Sequence, residues 1–127
     1  MPVRLRPADP ALVLAAVVRF RAGSADDADL RFLVKHLLAV LVERAPGGAV
    51  EVRVPPYAAA QAIGGTTHKR GTPPAVVEVD PTTWVALAIG DLAWDEAERA
   101  GRVTASGERS DLSSLLPLQR FAADDLP

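Results

Sequence analysis

The 127-residue chain contains no cysteine, which excludes disulfides, thiolate metal ligands and a cysteine nucleophile. Histidine is nearly as scarce, with His36 and His68 the only two. A zinc site would need carboxylates in unusual number and no HExxH-like spacing occurs, so no metal is expected. Long apolar runs are also missing. The longest strictly apolar run, residues 11–18, is far short of the roughly 20 residues that span a bilayer, so no transmembrane segment is expected. Arg4, Arg6 and Ala22-Gly23-Ser24 loosely resemble the flanks of a secretion signal, but Pro7, Asp9, Pro10, Arg19 and Arg21 argue against one. The expected compartment is the cytoplasm.

Neither sign of charge dominates. Fourteen basic and sixteen acidic residues give a net charge of −2, and the basic ones are scattered, so no phosphate-tracking surface and no nucleic-acid partner are expected. Arginine outnumbers lysine twelve to two, which points to a GC-rich genome and says nothing of function.

What is present is apolar material: 49% of the residues, enough for one core at this length. One domain over residues 1–127 is expected, with residues 1–9 and 119–127 as loose tails. Asp9-Pro10 and Asp80-Pro81 each pair a capping carboxylate with a proline pre-set for a first helical turn. They predict helices to about Arg21 and to Gly90. Leu30, Leu33, Val34, Leu37, Leu38 and Leu41 recur at helical spacing, with Arg31, Lys35 and His36 assigned to the wet side. Two N-terminal helices follow from this.

From Val50 the period changes to two: Val50, Val52 and Val54 share one face of a strand, opposite Glu51 and Arg53. Pro55-Pro56 interrupts it, so the segment from Tyr57 to Ile63 reads as a second strand after a kink or as an edge strand. Residues 75–79 and 102–106 predict further strands, with a short helix from Asp95 and Glu96 closed by Gly101 between them. Ser110 is placed to cap a last helical turn that Pro117 limits. This order lacks the regular alternation of a doubly wound sheet and predicts an α+β fold.

The stretch Thr82-Thr83-Trp84-Val85-Ala86-Leu87-Ala88-Ile89-Gly90-Asp91-Leu92, then Trp94-Asp95-Glu96-Ala97, then Gly101-Arg102-Val103-Thr104-Ala105-Ser106-Gly107, is similar to the C-terminal part of sterol carrier protein type 2 domains. Upstream, Val50-Glu51-Val52-Arg53-Val54-Pro55-Pro56-Tyr57 and residues 70–78 resemble a small actinobacterial branch of that superfamily. The resemblance covers roughly residues 30–118 and rests on the order of the motifs, since glycine after a helix is common. It implies a five-stranded, mainly antiparallel sheet with helices packed on one face, enclosing an apolar cavity for a lipid-like ligand. The two N-terminal helices and the Ala58-Ala59-Ala60 segment depart from the pattern, so cavity size and sterol binding are not carried over. Mycothiol-dependent maleylpyruvate isomerases look related through a similar C-terminal domain, but their metal belongs to a helical bundle for which this chain has no room.

No catalytic constellation appears. Ser106 lacks the paired glycines of a nucleophile elbow, no glycine-rich run matches a phosphate loop, and Asp26-Asp27, Asp95-Glu96 and Asp124-Asp125 read as capping or solvated charges. No enzyme activity and no cofactor are expected. The candidate ligand-binding residues are Val52, Tyr57, Trp84, Leu87, Ala88 and Trp94, since binding cavities are mostly hydrophobic with a few polar anchors. Plain core packing accounts for the same residues. His68 and Arg70, in the one basic cluster, are candidates for binding an anion, against the blander reading of a solvated hairpin connection. The expected function is non-catalytic binding of an apolar or lipid-like small molecule between sheet and helices. The alternative is a protein-interaction module or accessory subunit with a self-filled core, pairing with a partner protein or as a homodimer.

Overall fold

In a computed structural model of the chain, which describes residues 5–64, 75–107 and 110–121, the Asp9 carboxylate accepts the Ala11 amide at 2.8 Å. Pro10 follows at the first helical position, and α1 runs Pro10–Arg21. A capping box between Asp26 and Asp29 starts α2 (Asp27–Arg44), satisfying two amides that the first turn leaves without partners. Arg19 forks onto the same Asp29 at 2.8 and 2.9 Å, tying α1 to the start of α2. The apolar stripe of α2 buries Leu33, Val34, Leu37, Leu38 and Leu41 as the periodicity predicts.

Four strands follow among the described residues: β1 (Val50–Val54), β2 (Ala58–Ala62), β3 (Ala75–Val79) and β4 (Val103–Ser106). Between β3 and β4 lie α3 (Pro81–Ile89) and α4 (Trp94–Arg99). The sheet order is β2-β1-β3-β4, with β1 antiparallel to β2, parallel to β3, and β3 antiparallel to β4. The expected α+β class is therefore present, but the sheet is mixed and has four described strands, not five mainly antiparallel ones. The reason lies in the register. Val52 pairs with Ala60 on one side and Val77 on the other, so β3 joins the free edge of β1 running in the same direction. That places Val50, Val52 and Val54 with Val77 and Val79 on one buried face, and Glu51, Arg53, Val76 and Glu78 on the other.

The segment from Tyr57 resolves as an edge strand, and its end is locked to α2. Ile63 donates to the Ala45 carbonyl at 2.6 Å, and Gly47 (φ 144°) passes so close that a Cβ there would lie 2.3 Å from the Ile63 oxygen.

Two expectations about the C-terminal part change. Ser110 caps no helix; its hydroxyl donates to the Gly107 carbonyl at 3.0 Å, and residues 113–115 form a turn. The chain instead buries Leu112 and Leu118 and lies across the end of α3, where the Leu118 and Gln119 amides both donate to the Ala88 carbonyl. Ala8 and Gln119, each within a stretch read as loose, are both hydrogen-bonded to His36. His36 itself is 5% exposed and not on the wet side of its helix, because those two segments cover it.

Candidate functional site

Asp80 accepts the Thr83 amide at 3.0 Å and Gly90 closes α3 in the left-handed region at φ 86°, so α3 has a fixed length and a fixed inward face. Burial raises the pKa of the Asp80 carboxyl, but the contacts from Thr83, with Arg102 nearby, outweigh it and the net shift is downward. The fixed inward face carries Trp84, Leu87 and Ala88. Trp84 and Ala88 are fully buried in one continuous core cluster that also contains Val52. Helix α3 packs against α2, and the Trp84 indole is enclosed within that core.

The other candidate residues occupy different settings. Tyr57 is half-buried at the edge of the core, with the Arg31 guanidinium 5.7 Å from its ring centroid. Leu87 and Trp94 line a surface cleft of about 490 Å³ between the end of α3, α4 and the C-terminal segment. Leu92, Leu116 and Pro117 extend its apolar floor, and Glu98, Asp111 and Arg120 stand at its margin. The Ser113 amide, donating at 2.8 Å, holds the Asp111 carboxyl below the usual carboxylate range. His68 and Arg70 lie outside the described residues.

A larger cleft, of about 1090 Å³, lies where no candidate was placed. Helix α2 contributes Ala39, Val42 and Glu43, strand β2 contributes Ala59, Ala60 and Gln61, and the segment before α1 contributes Leu5, Arg6 and Pro7. The local sequence explains the space. Alanines at Ala39, Ala59 and Ala60 end at Cβ; Ala60 pairs with Val52 on the buried face and Ala59 with Arg53 on the other, so the lining draws on both faces of the β2 edge. The atypical alanine segment was the one signal in the sequence that could have located this cleft.

Its electrostatics are sparse. Glu51, at the margin, is hydrogen-bonded to Arg53, and that bond holds the Arg53 guanidinium pKa above its ordinary value. Arg6 and Glu43 form no ion pair among the described residues, and with Glu51 and Gln61 they make the polar part of a lining whose apolar part is Leu5, Pro7, Ala39, Val42, Ala59 and Ala60. Such a lining suits a molecule with a long apolar body and a polar end. It supplies no nucleophile with an adjacent base. Among the described residues, no three histidine, aspartate or glutamate side chains converge to hold a metal ion. No described helix is long and apolar enough to cross a membrane.

No curated protein matches the chain. The family model described as bacterial SCP ortholog matches residues 26–118, from the cap of α2 through the sheet, α3 and α4 to buried Leu118. That span holds every described strand and most of the core. The chain belongs to this sterol-carrier-protein-like family.

Proposed function

We propose that this protein is a non-catalytic binder of an apolar, lipid-like small molecule, and that the ligand lies between α2 and β2, not beneath α3. The observation that carries this reading is the cleft of about 1090 Å³ lined by Leu5, Pro7, Ala39, Val42, Ala59 and Ala60. Its volume slightly exceeds the roughly 300–1,000 Å³ typical of small-molecule sites. Membership of the bacterial SCP ortholog family is compatible with a lipid-like ligand. Affinity would come from burying apolar surface at roughly 25 cal/mol per Å², with Arg6 or Glu43 orienting the polar end.

The test is fluorescent titration with cis-parinaric acid. Ala59 is exposed on an edge strand, so Ala59→Trp fills the cleft without entering the core. It is expected to weaken binding at least about tenfold, the equivalent of 1.4 kcal/mol, at unchanged thermal stability. Absence of cis-parinaric acid binding by the parent protein would remove the proposal.

A second reading draws support from the same structure. Trp84 is completely buried in the protein's own core, and Leu12 stands 59% exposed on α1, as in an interaction module that docks on a partner or on its own copy. Sedimentation of the parent and of Leu12→Glu separates the readings: a concentration-dependent dimer that the substitution dissolves favours the module.

A further inference from the structure

One wall of the cleft between α2 and β2 belongs to no helix or strand. Leu5, Arg6 and Pro7 supply it, just ahead of the Asp9 cap that starts α1. Among the described residues, residues 5–8 make a single hydrogen bond: the Ala8 amide donates to His36 Nδ1 at 2.9 Å. Because Nδ1 accepts from a backbone N–H, the ring proton sits on Nε2, which donates to Gln119 Oε1 at 2.9 Å. Gln119 is anchored in turn, its amide donating to the Ala88 carbonyl at 3.1 Å. The end of α3 thus fixes Gln119, Gln119 fixes the ring, and the ring presents one acceptor to the wall. Leu5 and Ala8 also rest against the core, and a segment with so few hydrogen bonds belongs to the parts of a fold that open locally before it unfolds.

We infer that His36 is a latch, whose Nδ1 holds residues 5–8 as a hinged wall across the cleft, and that an amphiphile enters and leaves when this bond opens. The latch rests on the cleft being the ligand site. His36 acts here as a positioning residue, since the cleft lining does not include it. The hinge falls at the junction of Ala8 with the Asp9 cap, where the irregular segment meets a fixed helix.

Two substitutions separate the bonds of the ring. His36→Gln carries its amide toward Gln119 but leaves no acceptor at the Nδ1 position, whereas His36→Asn places its side-chain oxygen there and gives up Gln119. Stopped-flow release of cis-parinaric acid from the full chain is expected to be roughly fivefold faster in His36→Gln, the effect of losing one ordinary hydrogen bond. His36→Asn should restore slow release. Ala8→Pro removes the same bond from the other side by deleting the donor N–H, and should release as fast as His36→Gln.

Amide exchange and ¹⁵N shifts read the latch without any ligand. The parent should show a slowed Ala8 amide and a ring protonated on Nε2, and His36→Gln should lose that protection. Equal release rates in the parent, His36→Gln and Ala8→Pro would overturn the latch, as would an Ala8 amide exchanging at the free-peptide rate in the parent. If the parent binds no cis-parinaric acid, the proposed function falls, and the Ala8 amide alone then judges the latch.

Discussion

Trp84 shows how a side chain that looks like a ligand contact can be structure instead. Its position three residues past an aspartate-proline helix start put it on the inward face of α3, and the fold buries it completely. Trp84→Ala is expected to cost about 3–5 kcal/mol in denaturant unfolding, the range for deleting a large buried aromatic. Trp84→Phe should cost much less, because it keeps most of the volume and removes an indole N–H that has no acceptor among the described residues. Neither change should weaken cis-parinaric acid binding in folded protein if the ligand lies between α2 and β2. His36 is the opposite case. A lone histidine on a leucine-rich helix reads as a surface residue, and its burial depends on Ala8 and Gln119, 28 and 83 residues away.

At the level of elements, the caps were the most legible features. Asp9-Pro10 and Asp80-Pro81 each began a helix where the sequence placed one, because a cap is a contact between near neighbours; the Asp26–Asp29 capping box came from the structure. Asp26→Ala removes one half of the capping box on α2 and is expected to cost about 1 kcal/mol, measured as a shift of the urea midpoint. The Asp29 carboxyl has its pKa lowered, foremost by the hydrogen bonds from Arg19 and also by the Asp26 amide. A carboxylate depressed in the folded state adds stability above its unfolded pKa, near 4, and loses it as pH falls through the folded value. Acid titration should therefore weaken the α1–α2 link below about pH 4, and the Asp29→Asn variant should show a flatter acid limb. The pairing of strands was less legible. Alternation identified β1 and β3, but nothing local states that β3 lies parallel to β1, since that choice is made by the shared valine face.

On the scale of the whole molecule, the four-stranded sheet, α3 and α4 lie within the residues matched by the bacterial SCP ortholog family. The irregular segment before α1 lies outside that match and supplies one wall of the larger cleft. A ligand bound only by the folded state stabilises it by about 2.7 kcal/mol at a free concentration a hundredfold above Kd. Cis-parinaric acid at that concentration should raise the melting temperature by several degrees in a chain of this size. Ala59→Trp, binding tenfold more weakly, should cut the increment to about half while keeping the ligand-free melting temperature. An increment unchanged by Ala59→Trp would place the ligand elsewhere, with the smaller cleft beside Trp94 as the next site to fill.

The sequence by itself determined the α+β class, the helix starts, the buried stripe of α2 and the family, because each depends on residues a few positions apart or on the order of motifs. Only the tertiary structure decided that Trp84 is wholly buried in the core, that the larger cleft lies beside the alanines of β2, and that His36 joins both ends of the described chain. A void is the volume left between elements after they pack, so it depends on how side chains from distant segments meet and not on any one segment. Local rules mark where helices and strands begin, and the three-dimensional meeting of small residues from α2 and β2 leaves the cleft.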